Sequence, residues 1–486
     1  MAAVRQAHRG LVVTLRSTSV ALAVAALAAC GGGGGGSDTP ATAGSGGAGA
    51  PATSPVATGT PPATSPSTAP ASSGTGATGT GTTTPAAGTN PGAATSPATT
   101  TPAAVFQSND FQVNTFTAGS QSGANVARLA NGGYVVAWDS TSAEFGTSEV
   151  RMQRFDAQGR AVGSEQVVSA HGNASQVTAF ADGRVLVTWR VSPFALEVDG
   201  QGQMFDAQGA PVGGTIALGN AANGFTPRPM ALPDGSFIAA IDVPGGGKFG
   251  PSYGLVAHYA ADGTPIGQPT RLESQLSVQT GAFSPNAAGG AHTAVLADGR
   301  VAAVWVASGT DVSELRLSLF DAQAQPLGTP VVLDNRAGSI QSPSIAALSG
   351  GRYAVSWVAG ATGQPQTAYL ELFDAAGASL GRQQFATSAT GTLVARLARL
   401  ADGNLAAAWS DTTLATAQGN RQLLARRFDA SGAAIGPVQQ VDTASWTADN
   451  FAFDSLGLAA TTGDGFLVLY GRWTAAQSWD VRANVR

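Results

Sequence analysis

The chain has 486 residues, a formal net charge of −5 and only 11% charged residues. With a single lysine, Lys248, and no basic stripe, this composition excludes a nucleic-acid partner held by phosphate contacts. One cysteine, Cys30, excludes an intrachain disulfide framework and any CxxC metal site.

The first thirty residues read as an address. Arg5, Arg9 and Arg16 form a positive region ahead of an apolar run over residues 17–29. That run is too short for a permanent membrane span and is built like a signal peptide. It ends Leu27-Ala28-Ala29-Cys30. This ending resembles the lipobox of bacterial lipoproteins, whose cysteine is acylated and becomes the mature N-terminus. The resemblance implies a signal peptide over 1–29 and a lipid anchor at Cys30 that makes the membrane a partner. Gly31 follows the cysteine where an Asp would favour inner-membrane retention, so the resemblance implies the outer membrane, with the protein facing the periplasm or the cell surface. Several acyl chains make such an anchor stable.

Beyond the acylated cysteine, the stretch to residue 104 is Gly, Ala, Thr, Ser and Pro almost throughout, with Asp38 as its only charge. It has no aromatic residue and no periodicity, so it cannot bury enough apolar surface to offset its ordering entropy. The expectation for 30–104 is a disordered tether, with a coil reach of roughly 45–50 Å. Gly74 to Gly79 fits GxGxxG, but no strand precedes it and no helix follows, so the dinucleotide reading fails its own context.

From residue 105 to 486 one unit recurs seven times. Asn131-Gly132, Asp182-Gly183, Asp234-Gly235, Asp298-Gly299, Gly350-Gly351, Asp402-Gly403 and Asp464-Gly465 are spaced 51 to 64 residues apart. Asn-Gly and Asp-Gly supply positive φ, which predicts a two-residue hairpin turn at each. An apolar, β-rich run follows each turn, as in GYVVAW and RVLVTW. Trp138, Trp189, Trp305, Trp357 and Trp409 each fall seven positions after the first turn residue, with Ile241 in that place in the third copy. These five are expected in the core between units. A second hairpin follows, its leading strand ending at Phe155, Phe205, Tyr259, Phe320, Phe373 or Phe428, most of them opening FDAxGxxVG. The fourth copy carries Ala324 in place of the turn glycine.

The seventh copy has no fourth strand, but residues 110–115 (DFQVNT) read as that strand at the other end. Four antiparallel strands at a period near fifty predict an all-β, seven-bladed β-propeller, closed by an N-terminal strand pairing with the last blade. The repeats resemble modules of bacterial surface and secreted proteins with LxDGxxVVxW and FDAxGxxVG signatures, often within adhesin-like or calcium-repeat proteins. That resemblance implies an architecture and leaves function open.

In such a blade the short turns lie on one face, and the second-to-third loops and inter-blade connections lie on the other. The variable segments belong to that second face, which is therefore where a ligand is expected, there or at the channel mouth beneath it. Trp446, Trp473 and Trp479 fall outside the repeat. They are candidate aromatic anchors for a glycan or protein partner, and equally candidates for covering the seam where the ring closes.

Catalytic signatures are thin. His171, His258 and His292 lie in different repeats without metal-ligand spacing, and no metal or cofactor is expected. Gly377 to Gly381 fits GxSxG but occupies a hairpin slot rather than a strand-to-helix elbow. Carboxylates outside the repeat turns include Asp139, Glu144, Glu197, Asp199, Asp242, Asp311, Glu314, Asp411, Asp449 and Asp454; a glycosidase needs two of them a few ångströms apart. The reading is a tethered binding module for a glycan or protein in the cell envelope. A polysaccharide-acting enzyme using loop carboxylates and a structural part of an envelope complex are the alternatives.

Overall fold

In the computed structural model the described residues are 105–106, 110–141, 148–191, 199–220, 227–245, 250–273, 291–308, 312–360, 364–388, 393–411, 422–442, 456–473 and 478–486. The address, the tether and most of the variable face lie outside them.

The described residues form seven sheets, each built on four antiparallel strands, and in the first six blades those four strands run in chain order from the axis outward. Blade 1 comprises Ser120–Arg128, Tyr134–Thr141, Ser148–Phe155 and Ala161–Ser169. The inner strands of blades 2 to 7 are Asn173–Ala179, Arg228–Ala231, His292–Val295, Ile340–Ala347, Val394–Arg399 and Gly457–Ala460. Blade 7 takes its second and third strands from Phe466–Trp473 and Trp479–Val485, and its outer strand from Asp110–Gln112. The register sets Asp110 opposite Asn484 and Gln112 opposite Arg482. The predicted closure is thus the observed one. One addition was not foreseen: Val105–Phe106 pairs in parallel with Gln439 and Gln440 on the outer strand of blade 6.

The apolar runs explain why the blades stack. In the second strand of blade 1, Tyr134, Val136 and Trp138 pack on blade 7, while Val135 and Ala137 pack on blade 2. Both faces of the strand are buried, so its sequence is apolar throughout rather than alternating. Every hydrophobic cluster spans two successive blades, and the one joining Leu467, Leu469, Val481 and Ala483 to Trp138 closes the circle. The five repeat tryptophans are buried in these interfaces, with Ile241 in the same role between blades 2 and 3.

The turns differ from the two-residue prediction. Leu129 N–H donates to Gly133 O, and Gly132 N–H donates to Leu129 O at 3.0 Å. This is a three-residue loop whose last member alone has positive φ (Gly132, +86°), so the Asn or Asp beside it is not left-handed. The carboxylate or amide serves differently: Asp182 Oδ1 accepts the Arg184 N–H at 3.0 Å, pinning the loop. The FDAxG turns repeat the device, with Asp156 Oδ1 accepting the N–H groups of Gln158 and Arg160 at 2.9 Å each. Ala324 holds the same left-handed conformation (φ +63°) without being glycine.

The seventh copy is shifted by one residue. Thr461 N–H donates to Gly465 O, so Gly463 (φ +81°) fills the place of Gly132 less one, and Asp464-Gly465 is not the Asp-Gly of the other copies. With that register Tyr470 takes the tryptophan position, and it is buried between blades 6 and 7.

Candidate functional site

The inner strands place one residue per blade at a common level, four positions before the residue that opens the first turn. These are Asn125, Gln176, Arg228, His292, Ser344 and Arg396, with Gly457 in blade 7. The pairing confirms the level: Asn125 faces Ala137, Arg228 faces Ala240, His292 faces Val304 and Arg396 faces Ala408, each partner one residue before the tryptophan position. Six of the seven are polar.

This belt joins the inner strands, which do not share a sheet. Asn125 Nδ2 donates to Ser175 O of the next blade at 2.7 Å. Ser344 Oγ accepts the Leu397 N–H of the next blade at 3.1 Å. Such caps satisfy backbone groups on the channel-facing edge that would otherwise be orphaned.

Arg228, His292 and Arg396 are the large members. Enclosure in the ring, and then the positive charges of Arg228 and Arg396, hold the His292 imidazole well below the ordinary histidine range. Arg228 lies on the inner strand of blade 3, His292 on that of blade 4 and Arg396 on that of blade 6. Nearer the turn face, a cavity of about 440 Å³ opens between blades 6, 7 and 1, with Arg128 and Arg399 among its lining. The two arginines are exposed there.

No inner strand contains Asp or Glu; their ionisable residues are Arg128, Arg228, His292, Arg396 and Arg399. The chain as a whole has 30 acidic against 25 basic residues. The inner strands therefore carry the opposite sign to the chain as a whole.

The aromatic candidates fare unevenly. Trp446 lies outside the described residues. Trp473 ends the second strand of blade 7 and pairs in register with Trp479, which opens the third. Trp479 is 8% exposed, which fits a covering role better than a presented anchor.

Among the carboxylates, Glu144, Glu197, Asp311, Asp449 and Asp454 lie outside the described residues, and Asp199 and Asp242 are placed on strands. Asp411 is buried. Glu314 pairs with Arg316 at 2.9 Å. Asp139 is 7% exposed and bridges blades 1 and 2, accepting the N–H groups of Ala174 at 2.5 Å and Ser175 at 3.0 Å. Burial pushes its carboxyl up to about 6. Both elements at this contact are kinked: Ala174 has φ +54°, and at Gly123 (φ +64°) a Cβ would stand 2.7 Å from Asp139 Oδ2. His258 is buried with Nε2 2.9 Å from Ser236 Oγ, and Ser379 Oγ donates to Glu371 Oε1 at 2.6 Å within its hairpin. Among the described residues no three His, Cys, Asp or Glu side chains could hold a metal together.

The axial belt was missed from sequence. Its signal was present: a polar residue four positions before each turn-opening Leu or Phe, in inner strands without an acid.

Several solved structures align with the chain at low identity. A Dyadobacter fermentans protein of unknown function aligns over 77% of this chain and 97% of its own, with 13% identity and a TM-score of 0.44. The NanB sialidase from Streptococcus pneumoniae aligns over 78% and 70%, with 11% identity and a TM-score of 0.42. An α-L-arabinofuranosidase from Fusarium graminearum aligns over 76% and 93%, with 11% identity and a TM-score of 0.41. No protein-family model matches the chain, and no curated protein matches it in sequence. Likeness at this level says nothing of activity, so the site is read from its own residues.

Proposed function

We propose that this chain is a lipid-anchored binding protein of the bacterial outer membrane. Residues 1–29 are its signal peptide, acylated Cys30 and the segment to residue 104 are its anchor and tether, and the propeller of residues 105–486 holds a glycan or protein partner of the cell envelope. The observation that carries the reading is the ring's inner face: polar residues from six blades stand at one level, and a cavity of about 440 Å³ with Arg128 and Arg399 in its lining opens between blades 6, 7 and 1. Rigid scaffolds that converge a few polar groups on a concavity are what ligand recognition requires. The carboxylates with described contacts support binding over hydrolysis, since Asp139 and Glu314 are each engaged within the fold.

Two measurements test this. Cys30→Ala should move the protein from the membrane to the soluble fraction; unchanged membrane association removes the anchor. A screen of envelope polysaccharides against the purified chain should return a ligand that is bound and recovered intact. Recovery of a shortened glycan would instead make the protein an enzyme.

A further inference from the structure

The last residue of each inner strand holds one position of the repeat, directly before the first turn. Four blades place alanine there (Ala179, Ala231, Ala347 and Ala460) and blade 4 places Val295. Blades 1 and 6 place Arg128 and Arg399. Register sets the two at one level, Arg128 opposite Tyr134 and Arg399 opposite Leu405, each partner the first residue of its strand. They flank blade 7, and both line the cavity of about 440 Å³, so one concavity brings them together. Blade 7 offers only Leu458 and the small Ala459 and Ala460 between them.

No structural role accounts for the two charges. Both side chains are exposed, and among the described residues neither has a hydrogen-bond or ion-pair partner. The acids of the adjoining turns are committed elsewhere, since Asp402 and Asp464 each accept a hydrogen bond from Arg427 at 2.7 Å. Alanine in the same place in four blades shows that neither strand nor turn requires a guanidinium. The rest of the wall is apolar: Val126, Leu400, Leu458 and four alanines, with no acidic, hydroxyl or amide side chain. A bare inorganic anion would leave that wall uncovered, and a neutral apolar ligand would leave the two guanidinium forks unused.

We propose that this cavity is a binding site for a small carboxylate with an aliphatic body. The carboxylate lies between Arg128 and Arg399, whose planar forks offer it paired N–H donors. The aliphatic part is removed from water against Val126, Leu400 and Leu458. The volume falls within the range of about 300–1,000 Å³ usual for small-ligand sites. The site goes beyond the glycan or protein partner proposed above and stands with or without it.

The test uses the full chain in detergent and three probes: hexanoate, hexan-1-ol and acetate. Affinities are measured by calorimetry, with titrations into detergent alone subtracted, for the wild type and for Arg128→Ala/Arg399→Ala. Circular dichroism is the folding control. Hexanoate should bind about tenfold tighter than either other probe, and the variant should lose about tenfold in hexanoate affinity. Equal affinity for hexan-1-ol overturns the proposal, because the arginines then contribute nothing. Equal affinity for acetate overturns it too, because the apolar wall then contributes nothing. Hexanoate that binds the variant as tightly as the wild type lies elsewhere, and hexanoate that does not bind at all refutes the site. If the variant does not fold, the wild type decides by itself: its hexanoate affinity must weaken between 50 mM and 500 mM salt, and salt-independent binding refutes the proposal.

Discussion

Ring closure can be tested at the seam with two adjacent side chains. Val113 and Asn114 follow the N-terminal strand, and each is 2% exposed. Val113 packs in the cluster between blades 7 and 1, and its N–H donates to Val481 O at 2.9 Å. Asn114 Oδ1 accepts the Val481 N–H at 2.8 Å, and its Nδ2 donates to Asp480 Oδ1 at 2.9 Å. Val113→Ala removes two buried methyl groups and leaves a small cavity, about 2–3 kcal/mol. Asn114→Ala orphans the buried Val481 N–H, about 1–3 kcal/mol. Together they should cost roughly 3–6 kcal/mol. Unfolding entropy is roughly 2 cal/mol/K per residue, or about 0.8 kcal/mol/K for a ring of some 380 residues, so the melting temperature should fall by about 4–7 °C. Scanning calorimetry should show the whole transition moving as one, because each blade is buried only by its neighbours. An unchanged melting temperature, or an early transition carrying about one seventh of the enthalpy while the rest stays put, would mean that the blades are independent and that the seam does not hold the ring.

Three further outcomes follow from the same structure. The Asp139 carboxyl is raised from an unfolded value near 3.8 to about 6, so its contribution is fully present below pH 4 and is lost as pH rises through 6, about 3 kcal/mol in all. Urea midpoints should therefore shift in favour of Asp139→Asn, relative to wild type, between pH 4 and pH 8; a constant difference would refute the assignment. Ala324→Gly should change stability by less than about 1 kcal/mol, because relief of its left-handed backbone is offset by loss of a fully buried methyl group. A gain of 2 kcal/mol by denaturant titration would show that the methyl contributes nothing. Trp479→Ala should destabilise the ring by about 3–5 kcal/mol, as a buried tryptophan does; a normal melting temperature would return Trp479 to the surface.

The amino-acid sequence by itself determined the number of blades, the order of strands within them and the strand that closes the ring. These are legible because hairpin chemistry is local and is written seven times with small variations: a glycine-bearing loop, in most copies with Asp or Asn, a run apolar on both faces, and in five copies a tryptophan at fixed distance. The missing outer strand of the seventh unit and the surplus strand at residues 110–115 are visible for the same reason. Details that depend on which backbone groups meet were not legible. The loops proved to have three residues, and the register moved the seventh turn by one and put Tyr470 in the tryptophan position. Only the tertiary structure decided the site. Asn125, Arg228, His292, Ser344 and Arg396 are, along the chain, single polar residues in short strands, separated by roughly fifty residues or more. Closing the ring brings them to one level, so that a charge on blade 6 is felt by a histidine on blade 4. The same closure buries Trp479 and makes Asp139 of blade 1 the acceptor for backbone groups of blade 2. Periodicity reports which face of a strand is apolar; it carries no information about which side chains a circular arrangement will set across an axis from one another.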